Sequence, residues 1–200
     1  VFISLEGVDG SGKSTQAALL AEALGPDVVT IREPGGTDAA EAIRNVLADP
    51  EVPLDATAEL MLFFAARADL VRRVVRPALD AGRTVLSDRY VDSTEAYQGV
   101  ARGLGIETVH ELNRVATGSL MPDLTILIRV EPETALERAK SADRFEAEGV
   151  EFQRSVAAAY EAIAEREPER FVVVDGDGEP DEVHARVLEV LRVAREGNRG

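Results

Sequence analysis

The sequence predicts an α/β fold, a parallel β-sheet with helices on both faces, and three observations predict it. Short runs rich in Val and Ile alternate with segments of helical periodicity along the whole chain, with no long linker, repeat or low-complexity block between them. The runs are mostly apolar and do not alternate strictly with polar residues, the pattern of strands buried on both faces. Residues 7–14, Gly-Val-Asp-Gly-Ser-Gly-Lys-Ser, set a G-x-x-x-x-G-K-[ST] turn between the first run and the first helical segment. Two hundred residues suit a single domain with an ample core.

The elements follow in order. Strands are predicted over Val1–Leu5, Val28–Ile31, Thr84–Ser87, Leu124–Val130 and Phe171–Val174, because β-branched residues suit a pleated, two-sided core. Helices are predicted near 14–24, 38–48, 56–76, 105–117, 132–140, 150–166 and 180–195 from their apolar spacing. Pro180 suits a first helical turn, while Gly25, Pro77 and Gly82 mark exits. Residues 196–200 are expected to fray. In such an alternating fold, ligands sit at the carboxyl ends of the strands.

Composition narrows the function classes. There is no Cys, hence no disulfide or thiolate metal site, and two isolated histidines, His110 and His184, make no zinc site of the usual kind. No run reaches the length of a membrane span, and the chain opens in a strand without a basic or apolar leader, so a cytoplasmic location is expected. Acids outnumber bases 37 to 22 for a net charge of −15, and Lys13 and Lys140 are the only lysines. Such a surface repels nucleic acid and anionic membranes. It also suggests a salt-rich cytoplasm, where a Debye length of roughly 3 Å at 1 M screens self-repulsion; the alternative is an acidic protein from a GC-rich genome.

The turn at 7–14 is a phosphate-binding loop. Its glycines let successive backbone N–H groups curl around an anion, and the following helix directs its positive end inward. Lys13 is placed to reach the β- and γ-phosphates and Ser14 to hold Mg²⁺. Asp9 is anomalous, because a carboxylate in an anion site must point elsewhere. A sugar hydroxyl of a second nucleotide is one partner for it, and a turn bond to its own backbone is the other.

Two further segments fall just past strand ends, Arg32-Glu-Pro-Gly-Gly-Thr37 and Asp88-Arg-Tyr90. Asp88 stands where a strand-end carboxylate helps hold Mg²⁺, or else caps a helix starting near Val91. Arg89 beside it is either a phosphate clamp or a solvated arginine. On the helix near 56–76, Phe63 and Arg67 share a face at i, i+4. A stacking ring and a guanidinium suit a nucleobase, although plain core packing has the same spacing.

Together these residues bring the chain into resemblance with the thymidylate kinase family from end to end. The matching segments are Leu5-Glu-Gly-Val-Asp-Gly-Ser-Gly-Lys-Ser-Thr15, Arg32-Glu-Pro-Gly-Gly-Thr37, Phe63-Phe-Ala-Ala-Arg67, Asp88-Arg-Tyr90, Ser93-Thr-Glu-Ala-Tyr-Gln98, Pro122-Asp-Leu-Thr125 and Asp143-Arg-Phe-Glu146. The second segment and the Phe-x-x-x-Arg pair separate this family from other nucleoside monophosphate kinases.

The resemblance implies a P-loop NTPase three-layer sandwich, its five parallel strands ordered 2-3-1-4-5, with a short mobile lid at about 138–149. It implies Mg²⁺- and ATP-dependent phosphorylation of dTMP to dTDP by a homodimer. ATP would lie on Gly7, Val8, Asp9, Gly10, Ser11, Gly12, Lys13, Ser14 and Thr15, with Ser14 and Asp88 at the metal. Asp9 would take the 3′-hydroxyl of dTMP, Phe63 would stack on thymine, Arg67 would reach O4, and Ser93 and Thr94 would lie along the base edge. Tyr97 would crowd the 2′ position, Arg44 and Arg89 would grip the acceptor phosphate, and Glu33 and Pro34 would line the same site. Some members carry an arginine inside the loop, where this chain has Gly10 and Ser11. The cation would therefore come from the lid, from Arg144 with Arg138 or Lys140, making Lys13, Arg89, Arg144 and Asp9 the catalytic set. After Ile128 many members carry an acid where this chain has Arg129, leaving that arginine to assist the lid or to be solvated.

Other classes fit less well. Asp175-Gly-Asp-Gly178 has the form of a GTPase D-x-x-G, but it follows the last strand and no Asn-Lys-x-Asp guanine reader exists. A non-catalytic ATP-binding module would have no need for Arg44, Phe63, Arg67 and Arg89. The runner-up is a kinase for dUMP or another monophosphate, since one methyl group discriminates by only about 1–3 kcal/mol.

Overall fold

A computed structural model describes residues 1–138 and 148–197. Five strands, β1 (Phe2–Glu6), β2 (Val29–Arg32), β3 (Val85–Asp88), β4 (Leu124–Arg129) and β5 (Phe171–Asp175), form one sheet ordered β2-β3-β1-β4-β5. Every pairing is parallel, with Leu5 opposite Asp88 and Ile126, so the carboxyl ends of β1 and β3 lie side by side. That juxtaposition brings the loop after β1 next to the turn after β3. The strands match the sequence expectation to within a residue or so.

Helices cover both faces: α1 (Lys13–Leu24), α2 (Asp38–Ala48), α3 (Ala56–Leu70), α4 (Arg76–Asp80), α5 (Val91–Thr94), α6 (Ile106–Thr117), α7 (Pro132–Arg138), α8 (Val150–Arg166) and α9 (Pro180–Gly197). Alternation along β1 sends Ile3 and Leu5 into a core shared with Leu20 of α1, Ile163 of α8 and Val187 of α9. Phe2 goes to the other face, against Leu70, Val75 and Val91. Thr37 and Asp55 cap α2 and α3 by accepting backbone N–H groups with their side chains, as Ser, Thr and Asp do at helix starts.

The structure departs from the sequence expectation in three places. Pro77 does not end the third helix: a π-helical turn over Val71–Val75 joins α3 to α4, which carries Pro77 in its first turn. A mid-helix proline clashes with the carbonyl four residues back, and the wider π turn makes room for it. A helical stretch the periodicity did not reveal runs from α5 through a π-helical segment, Glu95–Ala101. Its residues 91–99 are buried all round, so it has no apolar stripe to read. Finally, α9 continues to Gly197, inside the tail expected to fray. No helix among the described residues is long and apolar enough to cross a membrane.

Candidate active site

One cleft of about 1130 Å³ runs along the carboxyl edge of the sheet, lined at one end by the glycine-rich loop and at the other by Phe63 and Arg67. A site for one small ligand spans roughly 300–1,000 Å³, so this cleft has room for two nucleotides.

The donor end begins where β1 stops. Gly7 turns the chain at φ +144°, and a Cβ there would stand 2.5 Å from the Ile128 carbonyl, so only glycine lets the loop rest on β4. Gly12, at φ 93°, leads into α1, whose first turn carries no acid to oppose an anion. Lys13 Nζ lies folded inside the loop, donating to the Val8 carbonyl at 2.7 Å and to Ser11 Oγ at 3.4 Å. Burial, with repulsion from Arg89, lowers its pKa to about 8 against the pull of Asp9, Asp88 and Glu6. The loop thus presents backbone N–H groups and one ammonium, the chemistry a triphosphate requires.

Ser14 Oγ donates to Asp88 Oδ2 at 2.5 Å. This hydroxyl and carboxylate, side by side at the loop's mouth, fit Mg²⁺. Among the described residues no group of three or more His, Cys, Asp or Glu is placed to hold a metal ion, and magnesium needs none, taking one or two protein oxygens with the rest from water and phosphate. The capping alternative for Asp88 is overturned, because Tyr90 holds the N-cap position of α5.

Asp9 points across the cleft and not back at its own loop. It forms an ion pair with Arg89, accepts the Tyr97 hydroxyl at 2.8 Å and accepts Gln153 Nε2 at 3.3 Å. Burial pushes its carboxyl up, but Arg89, Lys13 and these two donors outweigh burial and hold it below the ordinary range. Arg89 spans the cluster, its guanidinium bonded to Ser93 Oγ at 3.1 Å and lying 5.0 Å from the Tyr97 ring centre. Arg44 reaches the same end and donates to the Pro34 carbonyl at 2.9 Å.

Arg67 is only 2% exposed, yet it lines the cleft. Its Nε donates to Glu33 at 2.7 Å, Nη1 to Thr94 at 2.9 Å and Asn113 at 2.6 Å, and Nη2 to the Tyr90 carbonyl at 3.0 Å. Nη2 also lies 2.5 Å from the same Glu33 oxygen in an ion pair, so at least four of the five N–H groups of the guanidinium have protein acceptors. Burial pushes the Glu33 carboxyl up while Arg67 pulls it down, and the Glu33 oxygen not facing Arg67 is buried without a partner. Phe63, one turn away on α3, lines the cleft beside it.

The structure therefore brings together Asp9, Glu33, Pro34, Arg44, Phe63, Arg67, Arg89, Ser93, Thr94 and Tyr97, along with the loop residues from Asp9 to Thr15. Arg138 joins them at the donor end, donating to the Gly176 carbonyl at 3.2 Å. Lys140 and Arg144 lie outside the described residues. Arg129 is exposed and 3.8 Å from Glu161, a solvated arginine away from the cleft. Sequence reasoning missed Gly176, Gly178 and Pro180, which line the donor end after β5. The strand-end rule applied to the last strand would have found them. It also missed Asn113 and Gln153, which act through partners distant in sequence and carry no local signal.

A phosphate loop at one end of a cleft and a set of guanidinium groups with a base-sized pocket at the other define a nucleoside monophosphate kinase of the P-loop class. Comparison with known proteins narrows the class. A family model described as thymidylate kinase matches residues 5–187. The thymidylate kinase of Prosthecochloris aestuarii is 42% identical, with 98% of this chain and 94% of that protein aligned. That of a Synechococcus species is 47% identical over 96% of this chain and 95% of its own. Among solved structures, the crystal structure of thymidylate kinase from Ehrlichia chaffeensis matches with a TM-score of 0.81 at 34% identity, covering 96% of this chain and 98% of that one. The chain belongs to the thymidylate kinase family.

Proposed function

We propose the following division of labour for transfer of the γ-phosphoryl group of ATP to dTMP, the reaction of this family. The glycine-rich loop and Lys13 hold the donor's phosphates, with Arg138 beside the loop after β5. Ser14 and Asp88 would hold Mg²⁺, whose positive charge would offset that of the phosphates. Arg89 and Arg44 take the acceptor phosphate. Asp9 takes the 3′-hydroxyl, and Tyr97, bonded to Asp9, closes the 2′ side against ribose. Phe63 stacks on thymine above the floor made by Arg67, whose reach to O4 requires it to share an N–H now given to Thr94 or Asn113. Ser93 and Thr94 complete that wall. Arg144 and Lys140, the further cations proposed for the donor, lie outside the described residues.

No general base is needed. The second pKa of a phosphomonoester is about 6, so the acceptor is already a dianion at neutral pH and attacks unaided. What these side chains contribute is alignment and charge: two polyanions meet only where cations converge, and Lys13, Arg44 and Arg89 converge on one cleft. That convergence, with Phe63 and Arg67 lining the same cleft, is the observation that carries the reading.

The assembly is proposed to be a homodimer, the state that the family resemblance implies. A cytoplasmic location belongs to the same reading, since both nucleotides are cytoplasmic metabolites.

The experiment presents the protein with Mg-ATP and, in turn, dTMP, dUMP, the ribose form of TMP, dCMP, dAMP and dGMP, and measures ADP formation. The expected order is dTMP first, dUMP behind it and the ribose analogue poor. A purine monophosphate in first place would overturn the assignment of Phe63 and Arg67 to the base.

A further inference from the structure

Glu6, the last residue of β1, is completely buried and has no part in the division of labour above. Alternation puts it on the face of β1 shared by Phe2 and Ser4, under the turn that leaves β3. Its Oε1 accepts the N–H of Tyr90 at 2.7 Å, and its Oε2 accepts the hydroxyls of Ser93 at 2.6 Å and Tyr160 at 2.9 Å. Ser93 Oγ in turn accepts Arg89 Nη1 at 3.1 Å. The carboxylate is thus one bond from the Arg89 guanidinium and one peptide from its backbone.

That backbone needs holding. Arg89 has φ 71°, in the left-handed region that a non-glycine residue enters only when its surroundings impose it. Its N–H donates to the Leu5 carbonyl at 3.0 Å, its carbonyl accepts Ser87 Oγ at 2.5 Å, and the next N–H, that of Tyr90, goes to Glu6. Of these three bonds the last alone is made to a group that carries a full charge when ionised, and such bonds are shorter and stronger than neutral ones.

We propose that Glu6 is a positioning residue for the acceptor site: as a carboxylate it locks the Arg89–Tyr90 turn and the Ser93 hydroxyl, and so keeps the Arg89 guanidinium aimed at the acceptor phosphate. The inference rests on the reading that Arg89 grips that phosphate. It makes acceptor affinity depend on the ionisation of a group that touches neither substrate.

The charged and titratable groups facing Glu6 are Asp92 of α5, Arg89 of the turn, Tyr160 of α8, Lys13 of α1 and Arg67 of α3. Burial first, then the negative charge of Asp92, push Glu6 up to about 7 against Ser93, Arg89 and Tyr160. Above that pH the carboxylate accepts all three donors. Below it, the acid must place its own hydrogen among them and one contact is lost. Acceptor affinity is therefore highest above about pH 7 and falls beneath it.

The test measures equilibrium binding of dTMP, thymidine and ATP by calorimetry from about pH 6 to 8.5, a span that also contains the phosphate's own titration near 6. The proteins are the wild type and the variants Glu6→Gln, Tyr160→Phe and Arg89→Ala. Glutamine keeps the shape and one acceptor, so Glu6→Gln is expected to fold, to bind thymidine and ATP as before, and to weaken dTMP about tenfold at the alkaline end, the equivalent of one pKa unit. Its dTMP profile should retain the substrate's limb and lose the one near pH 7. Tyr160→Phe removes one bond to the ionised form and should move that limb to higher pH. A folded Glu6→Gln protein with wild-type dTMP affinity and profile overturns the proposal, as does an equal loss of thymidine binding. Should Glu6→Gln fail to fold, an unmoved limb in Tyr160→Phe overturns it. If Arg89→Ala leaves dTMP binding intact, the assignment of the acceptor phosphate falls, and Glu6's role with it.

Discussion

At the scale of single residues, Arg67 shows how one side chain is both structure and site. Its guanidinium joins Glu33 of the turn after β2, Thr94 of α5 and Asn113 of α6 while forming part of the cleft wall. Replacing it with Leu strands the Glu33 carboxylate in the core, and breaking a buried pair from one side costs about 3–5 kcal/mol. The expected outcome is a chain destabilised by that amount in urea melts, with much of the loss recovered by the double substitution Arg67→Leu, Glu33→Gln. Arg67→Lys should fold better yet bind thymidine poorly, since an ammonium cannot satisfy acceptors arranged around a planar fork. An Arg67→Leu protein as stable as wild type would mean that Glu33 is held neutral without its partner. The sequence indicated Arg67 through its spacing from Phe63, but not this load. Glu33 and Asn113 lie 34 and 46 residues away, and no local pattern encodes a partner at that distance.

At the scale of elements, legibility followed whether a local rule decided the geometry. The loop between β1 and α1 was readable because glycines at positive φ and a helix N-terminus leave few alternatives. The strands were readable because a parallel sheet buried on both faces favours short runs rich in Val, Ile and Leu. The stretch from Val91 to Ala101 was not, because its buried polar residues, among them Asp92, Thr94 and Glu95, are explained only by arginines from elsewhere in the chain, such as Arg170 on Asp92 and Arg166 on Glu95. The continuation through Pro77 was hidden for a related reason, since a π turn that relieves a proline has no residue signature of its own. The loop's dependence on β4 gives a prediction at this scale. In Gly7→Ala the new methyl meets the Ile128 carbonyl at 2.5 Å and Ser11 Oγ at 2.7 Å, at a φ of +144° that alanine resists. Neither backbone can yield without parting loop from sheet. The KM for ATP is expected to rise by more than about tenfold while dTMP binding changes little, a split that marks lost donor binding and not general unfolding. Equal losses for both nucleotides would show that loop and acceptor site move as one body.

At the scale of the whole molecule the dominant fact is charge, 37 acids against 22 bases. Lys13, Arg32, Arg44, Arg67, Arg89 and Arg138 gather at one cleft, the one proposed above to take two nucleotides. This concentration was legible in the sequence only as scattered candidates, Lys13 in the loop motif, Arg89 past a strand end, Arg67 on a helix face, and Arg44 and Arg138 through the family resemblance; the parallel register that sets β1 beside β3 helps to assemble them. Elsewhere the surface carries pairs such as Arg192 with Glu189 and Arg114 with Glu111, both largely exposed. Pairs of that kind contribute about 0–1 kcal/mol each and weaken in salt. Two effects of added KCl therefore oppose one another: loss of exposed ion pairs, and relief of the repulsion behind a net charge of −15. The repulsion is the larger, because it acts between every acid and its neighbours over a Debye length that shrinks from about 10 Å at 0.1 M to about 3 Å at 1 M. The melting temperature is expected to rise by several degrees across that range, and to rise alike in NaCl, since screening depends on ionic strength and not on the ion. A flat or falling curve would mean that the arginine pairs already neutralise the surface locally, and that the acidity of this chain is no adaptation to a salt-rich interior.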